Sequence, residues 1–373
     1  MSALSRFAGQ YAISRGVGAP ARRWLARPFS RGARRRGVIY YHPSEIAFAQ
    51  IYPFLHFEAD IAARFEMELR LVPVEELRAG HVRFSGADAA FLSCWFNEQE
   101  EDVAAMAGCL RDASPNARIG FIDTFAHNDI RLASVLDGAV DGYYKKALFR
   151  DRRAFLEPLK VGDTTVADYY ARLYDAEAKP PTWRTPESFL DKLNLSPGFF
   201  TGRQLLPAFL GAPPRHRDAD RPIDIHARFA AKGMGWYKAM RLAAQEAVKL
   251  PDLSVATGTG LARKAFLAEL GRAKLCFSPH GYGELCWRDV EAMLMGAVVL
   301  KPEMSTLETD PDLFEPGVTY LPVAWDFSDV EEVARLALAD PERRAEITQT
   351  AFTRIAEYLR SDRFARSLDP IFS

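Results

Sequence analysis

The segment from Leu275 to Pro302, LCFSPHGYGELCWRDVEAMLMGAVVLKP, gathers glycines, carboxylates, a histidine and an arginine between two apolar runs. It reads as strand, glycine-rich turn, short helix, strand. Lys274 to Phe277 predicts a short strand, and His280, Gly281, Tyr282 and Gly283 break it. A helix is expected over Glu284 to Met295, ended by Gly296, followed by the β-branched strand Ala297 to Leu300. On such a helix Glu284, Arg288 and Glu291 fall at i, i+4 and i+7, so one face carries carboxylate, guanidinium and carboxylate. An arginine fork near a helix start suits a diphosphate, and a carboxylate one turn later suits two vicinal hydroxyls. The same three residues would equally make a solvated salt-bridge stripe.

Upstream, Ile223 to Arg228 predicts a strand, followed by a turn bearing Lys232 and Gly233 and a helix from about Trp236 to Leu250. Arg228 and Lys232 there are candidates either for phosphate or for an ion pair and a solvated turn. In the first half, the apolar strand Val38 to Tyr41 runs into His42, and Arg118 to Ile122 runs into Asp123 and His127. Side chains just beyond the carboxyl end of a parallel strand are placed for ligand chemistry, so His42, Asp123 and His127 are the candidate general bases. Each has an ordinary alternative: Asp123 as a helix cap, His127 as a surface residue, His42 in turn or packing duty. Lys145 and Lys146 could contact phosphate, although a solvated loop is expected there.

The segment around Arg288 resembles the nucleotide-sugar half of GT-B glycosyltransferases, in particular the exostosin-like and family-1-like groups. These carry an Arg-x-x-Glu-Ala signature before a glycine and a strand, met here by Arg288, Glu291, Ala292, Gly296 and Val298. The resemblance covers about Asp224 to Leu321. It implies an α/β fold of two Rossmann-like domains facing across a cleft. A nucleotide-sugar, UDP- or GDP-linked, would be the donor substrate, with no further cofactor and no metal. Arg228, Lys232, His280, Gly281, Tyr282, Gly283, Glu284, Arg288 and Glu291 would line its site. Arg228 and Lys232 are similar to a Gly-Arg-Leu…Lys-Gly element, one residue shorter and with Ala227 in place of the glycine. In the Glu-x7-Glu motif of retaining members, Glu291 matches the second glutamate, whereas the first falls on Gly283 with Glu284 one place late. The stereochemical outcome therefore stays open.

The positioning elements fit that arrangement. A chain of 373 residues, 48% hydrophobic and 26% charged, suits two soluble domains. Strand, helix and strand alternate from Gly37 to about residue 154, with strands at Leu69 to Val72 and Ala89 to Trp95 and a helix capped by Asn97. Residues 155–222, rich in proline, read as an interdomain connection. A second domain spans 223–340, and 341–373 read as a helix crossing back onto the first. The two Asp-x-Asp motifs, Asp218/Asp220 and Asp310/Asp312, lie in charged loops without a preceding apolar strand, so no metal is assigned to them. No apolar run approaches the roughly 20 residues of a spanning helix, and four cysteines without Cys-x-x-Cys spacing suggest reduced thiols.

Net charge is −1, yet residues 1–36 hold nine arginines and no acidic residue, interspersed with Leu4, Phe7, Trp24 and Phe29. Such an arm fits an anionic membrane surface or a disordered tail, and less well nucleic acid. The expected protein is a cytoplasmic glycosyltransferase, in some settings peripheral on the inner membrane face, acting on a saccharide or lipid-linked acceptor, as in bacterial surface glycan synthesis. An epimerase or hydrolase on the same scaffold, or a non-catalytic nucleotide or nucleic-acid binder, are the alternatives.

Overall fold

A computed structural model describes residues 29–80, 86–214 and 218–373. Most of the basic arm lies outside the described residues, and with it the expected membrane contact. The strands are β1 (Arg35–Tyr41), β2 (Met67–Pro73), β3 (Ala89–Ser93), β4 (Arg118–Ile122), β5 (Gly142–Lys145), β6 (Leu148–Phe149) and β7 (Leu193–Leu195) in the first part of the chain. There follow β8 (Ile223–His226), β9 (Val255–Ala256), β10 (Ala273–Phe277), β11 (Val298–Pro302), β12 (Leu307–Glu308) and β13 (Leu321–Val323).

Two parallel sheets result, ordered β2-β1-β3-β4-β5-β7 and β13-β11-β10-β8-β9. In each, the strand order reverses between the first strand of the sheet and the third, which opens a crevice beyond their carboxyl ends. For the first sheet that crevice lies beyond β1 and β3; for the second it lies beyond β8 and β10. Val38, Ile39, Tyr40 and Tyr41 are all buried, as a parallel strand covered on both faces requires. Gly120 in β4 lies against Phe91, where a Cβ would come within 2.2 Å of the ring; the glycine makes the room that the aromatic fills.

The stretch read as a connection is divided between the domains. Helix Thr165–Leu173 buries Val166 and Tyr170 in the core of the second sheet, whereas residues 187–195 return to the first and supply its sixth strand, β7. Between β1 and β2 the chain forms two helices, Glu45–His56 and Glu58–Phe65, parted at Phe57 after Pro53. Asn97 is not a cap: a turn closed by Glu98 N–H on the Trp95 carbonyl delays the helix, which runs Glu100–Ala113 behind Gln99. After the long helix Pro341–Arg360, the last residues cross to the first domain, where Phe364 meets Phe54 at 5.0 Å and Phe372 meets Phe91 at 5.4 Å. The ladder of β6 with β12 is a further tie between the halves. No helix among the described residues is long and apolar enough to cross a membrane.

Candidate functional site

The second crevice is built by two loops, one following β8 and one following β10. The first runs through Arg228, Phe229, Lys232 and Gly233 into helix Gly235–Glu246, and Gly233 takes φ +96, a conformation that glycine adopts without strain. The second runs from Ser278 to Cys286 into helix Trp287–Met295. That helix starts three residues later than the spacing predicts. Asp289 accepts a hydrogen bond from the Cys286 N–H at 2.8 Å, which fixes the helix start behind Cys286. The same carboxylate accepts from Ser278 Oγ at 2.5 Å and pairs with fully buried Lys301 at 3.0 Å, so one buried ion pair pins both ends of the loop.

Glu284 is therefore on the loop rather than on a helical face with Arg288 and Glu291. It points to the other domain, where it accepts from the Asn128 N–H at 2.9 Å. Complete burial pushes its carboxyl up to about 7. Arg288 and Glu291 stay on the helix. Glu291 is mostly buried, which raises its carboxyl, and faces Arg263 at 3.1 Å.

Arg228 is engaged. Its Nε and Nη2 fork onto Glu269, the latter at 2.9 Å, and its Nη1 donates to the Thr257 carbonyl. Buried His226 shares Glu269 at 3.1 Å and is pushed down to about 4, chiefly by desolvation. The ion-pair reading of Arg228 thus describes it better than the phosphate reading. Lys232 is exposed on the glycine turn. His280 corrects the expectation differently. It lies fully buried beneath the crevice with its ring 4.7 Å from Trp325 and 6.2 Å from Tyr170, and desolvation holds it neutral, well below its usual range. Gly281 donates to the Gly283 carbonyl at 2.9 Å and keeps the turn tight. Tyr282 is 55% exposed and stacks on Tyr237 at 4.2 Å, a flat aromatic ledge at the crevice mouth.

Arg241 was not legible as a site residue. It lies on helix Gly235–Glu246 and is only 4% exposed, with its guanidinium 5.3 Å from the Phe229 ring and 5.0 Å from Tyr237. Arg288 rests on the same Phe229 ring at 5.5 Å, and its best side-chain bond is a long 3.4 Å contact to Ser278 Oγ. The Nε of each arginine is buried without a hydrogen-bond partner among the described residues. Burial lowers the Arg241 pKa, and the Arg288 charge lowers it further. The signal in the sequence was an arginine four residues after Tyr237, beside Met240 and Ala244 on the apolar face.

Across the cleft, the loop after β4 meets the loop after β10. His127 Nδ1 bonds the Tyr282 carbonyl; since a carbonyl only accepts, Nδ1 carries the proton and Nε2 the lone pair. Burial lowers the His127 pKa, which favours that neutral form. A Cβ on Gly283 would lie 1.8 Å from the Ala126 carbonyl oxygen, so only glycine permits this approach of the two domains. Asp123 is not a free base. Buried, it accepts from Phe125 N–H and Tyr143 O–H, both at 2.7 Å, and from Lys145. Lys145 and Lys146 are themselves buried rather than solvated, and burial pushes the Lys146 amine down to about 7.

His42 stands apart, at the crevice of the first sheet. It stacks on Trp95 at 5.0 Å, accepts from Ser44 N–H at 3.2 Å and faces Glu75 at 3.7 Å. In the Asp-x-Asp motifs, Asp310 pairs with Arg363, Asp312 with Arg150 and Asp218 with Arg344.

No protein-family model matches the chain, and no curated protein matches it. Among solved structures it is similar to an alpha-glucosyltransferase in complex with UDP and a 13-mer DNA containing an HMU base. The identity is 9%, covering 91% of this chain and 99% of that one, with a TM-score of 0.49. It is also similar to a UDP-forming alpha,alpha-trehalose-phosphate synthase from Burkholderia xenovorans, at 12% identity over 98% and 86% of the two chains and a TM-score of 0.43. A third is TarM of S. aureus, at 11% identity over 76% of this chain and 55% of that one, TM-score 0.41.

Proposed function

We propose that the protein is a glycosyltransferase that binds the diphosphate of a UDP- or GDP-linked sugar at the second crevice and transfers the sugar to an acceptor held on the first domain. The observation that carries this reading is the pair Arg241 and Arg288, both against Phe229 and neither in a salt bridge among the described residues, with each Nε buried and unbonded there. Arg241 is buried and Arg288 half-buried; an unpaired buried charge is costly, by several kcal/mol per ion in order of magnitude, and an anionic ligand offsets it. Guanidinium forks suit the geometry of phosphate oxygens, and the position beyond β8 and β10 is where a sheet of this strand order receives ligands.

The roles follow from placement. As the bond between the anomeric carbon and the phosphate oxygen breaks, its electron pair goes to the diphosphate, where Arg241, Arg288 and the exposed Lys232 stabilise the charge. Glu291, one helical turn from Arg288, is placed for the ribose hydroxyls, and the Tyr237–Tyr282 ledge offers a face to a ring. The acceptor oxygen bonds to the anomeric carbon and gives up its proton. His127, neutral and with Nε2 unprotonated, is the candidate base if the reaction inverts.

The test is a thermal-shift screen against UDP, GDP, ADP and CMP and their sugars. A nucleotide at 100 times its Kd adds about 2.7 kcal/mol of stability. A nucleoside diphosphate that stabilises the wild type and not Arg288→Ala is the expected result. No stabilisation by any of them would overturn the reading.

A further inference from the structure

Residues 257–265 are all exposed; they leave β9 at the edge of the second sheet and turn into helix Arg263–Leu270. The local chemistry holds this segment loosely. Gly258 and Gly260 take φ +96 and +89, the helix starts behind Ala262 without a side-chain cap, and its first residue is a cation at the end where the helix dipole disfavours one. Two side-chain contacts tie the segment down. At its start Arg228 Nη1 donates to the Thr257 carbonyl, and at its end Arg263 pairs with Glu291 at 3.1 Å. The partners of that ion pair are held unequally. Glu291, its side chain 8% exposed, sits on helix Trp287–Met295, fixed at its start by Asp289, whereas Arg263, 42% exposed, sits on the loose segment. The pair therefore opens by movement of Arg263.

We infer that Arg263 gates the ribose seat: in the unliganded protein it occupies the Glu291 carboxylate, and a nucleoside diphosphate with an intact cis-diol displaces it; the inference rests on the proposed donor site and deepens it. A carboxylate that receives two neighbouring hydroxyls uses both of its oxygens, and Arg263 already engages Oε1. The sign of its effect is opposite to that of Arg241 and Arg288. Those two make no salt bridge among the described residues and gain a partner when a diphosphate arrives, whereas Arg263 has its carboxylate and must give it up. Loss of Arg263 does not discharge the acid. Burial raises the Glu291 carboxyl, and after Arg263 the next charge opposing that rise is Arg288, which stays on the same helix. The gate also selects. Ribose hydroxyls replace the guanidinium as donors to Glu291, while a dideoxyribose offers nothing in exchange and leaves the pair closed.

The test is calorimetric titration of full-length wild type, Arg263→Met, Arg263→Lys, Glu291→Gln and the double variant Arg263→Met/Glu291→Gln. The probes are UDP, GDP and their 2′,3′-dideoxy forms. Arg263→Met should bind one of the ribonucleotides roughly two- to fivefold more tightly than wild type, the scale of a part-exposed ion pair, with its dideoxy form unchanged. Selectivity for ribose then rises by the same factor. Arg263→Lys, which keeps the charge, should return towards wild type, and the double variant should bind no more tightly than Glu291→Gln. Weaker binding in Arg263→Met would make the arginine a ligand contact and overturn the inference. An equal gain for the dideoxy form would overturn it too, because the effect would bypass Glu291. Hydrogen exchange of the unliganded proteins is a second reading: amides of residues 258–266 should exchange faster in Arg263→Met, and unchanged exchange would contradict the hold of the pair on the segment. If neither UDP nor GDP binds wild type or Arg263→Met, the donor reading itself fails and the gate with it; binding without the gain removes the gate alone.

Discussion

The two sheets share one strand order and so present the same kind of crevice, yet their contents differ. At the first, His42 stacks on Trp95, bonds Ser44 N–H and faces Glu75: a histidine already provided with partners from its own domain. At the second, Arg241 and Arg288 crowd one phenylalanine with buried Nε groups that nothing in the described protein satisfies. The same contrast recurs within the second crevice, where Arg228 forks onto Glu269 while Arg241 makes no salt bridge among the described residues and its Nε is unbonded. Topology says where a ligand can sit, and the state of satisfaction of the polar groups says which crevice is waiting for a charged one.

The largest loss is expected from removing the ion pair that builds the second crevice. Asp289→Ala leaves Lys301 buried without its carboxylate and frees Cys286 N–H and Ser278 Oγ, so a loss of about 3–5 kcal/mol is expected in urea unfolding. Next comes the contact between the domains. Gly283→Ala places a methyl group on the Ala126 carbonyl and holds the loops apart, with a fall in sugar transfer of about 10²-fold, the scale of a 1 Å misplacement, while nucleotide binding persists. Steady-state transfer rates and nucleotide titration, taken together, check it.

Loss of a paired and of an unpaired arginine should shift stability in opposite directions. Arg228→Met leaves Glu269 without its fork and should lower the unliganded Tm, whereas Arg241→Met removes an unmatched buried charge and should leave that Tm unchanged or raised. The smallest effect is in pH. The folded pKa of Glu284 stands above its unfolded value, so the folded state holds its proton more tightly, and this group lowers stability as pH rises from about 4.5 to 7. Lys146, depressed to about 7, acts with the opposite slope between about 7 and 10.5, since there the unfolded chain binds the extra proton. Glu284→Gln should therefore melt above wild type near about pH 8 and match it near about pH 4.5, read from Tm against pH.

Much of the scaffold was legible because buried parallel strands are continuous apolar runs: Arg118 to Ile122 was read to the residue, and β10 and β11 to within one or two. The loop chemistry was legible only in part. Glycine spacing located the turn at Gly281 and Gly283, but the helix start depended on Asp289 reaching back to Cys286, and that moved Glu284 off the helix and across to Asn128. Long-range pairing was beyond reach. Nothing near Arg228 in the chain announces Glu269, 41 residues away, as its partner, and nothing near Lys145 announces that Asp123 draws it into the interior. Arg241 was missed because what marks it is an absent partner for its Nε, which only a folded structure displays.

The most direct test of the account is calorimetric titration of the nucleoside diphosphate found in the thermal screen into wild type, Arg241→Met, Arg288→Met and Arg228→Met. Each unpaired arginine should contribute a charge-assisted bond of about 1.5–3 kcal/mol, so Arg241→Met and Arg288→Met should weaken binding by roughly 10- to 150-fold, with Arg228→Met within a few-fold of wild type. Binding lost in Arg228→Met and kept in Arg241→Met would contradict the claim that unsatisfied charge marks the donor site.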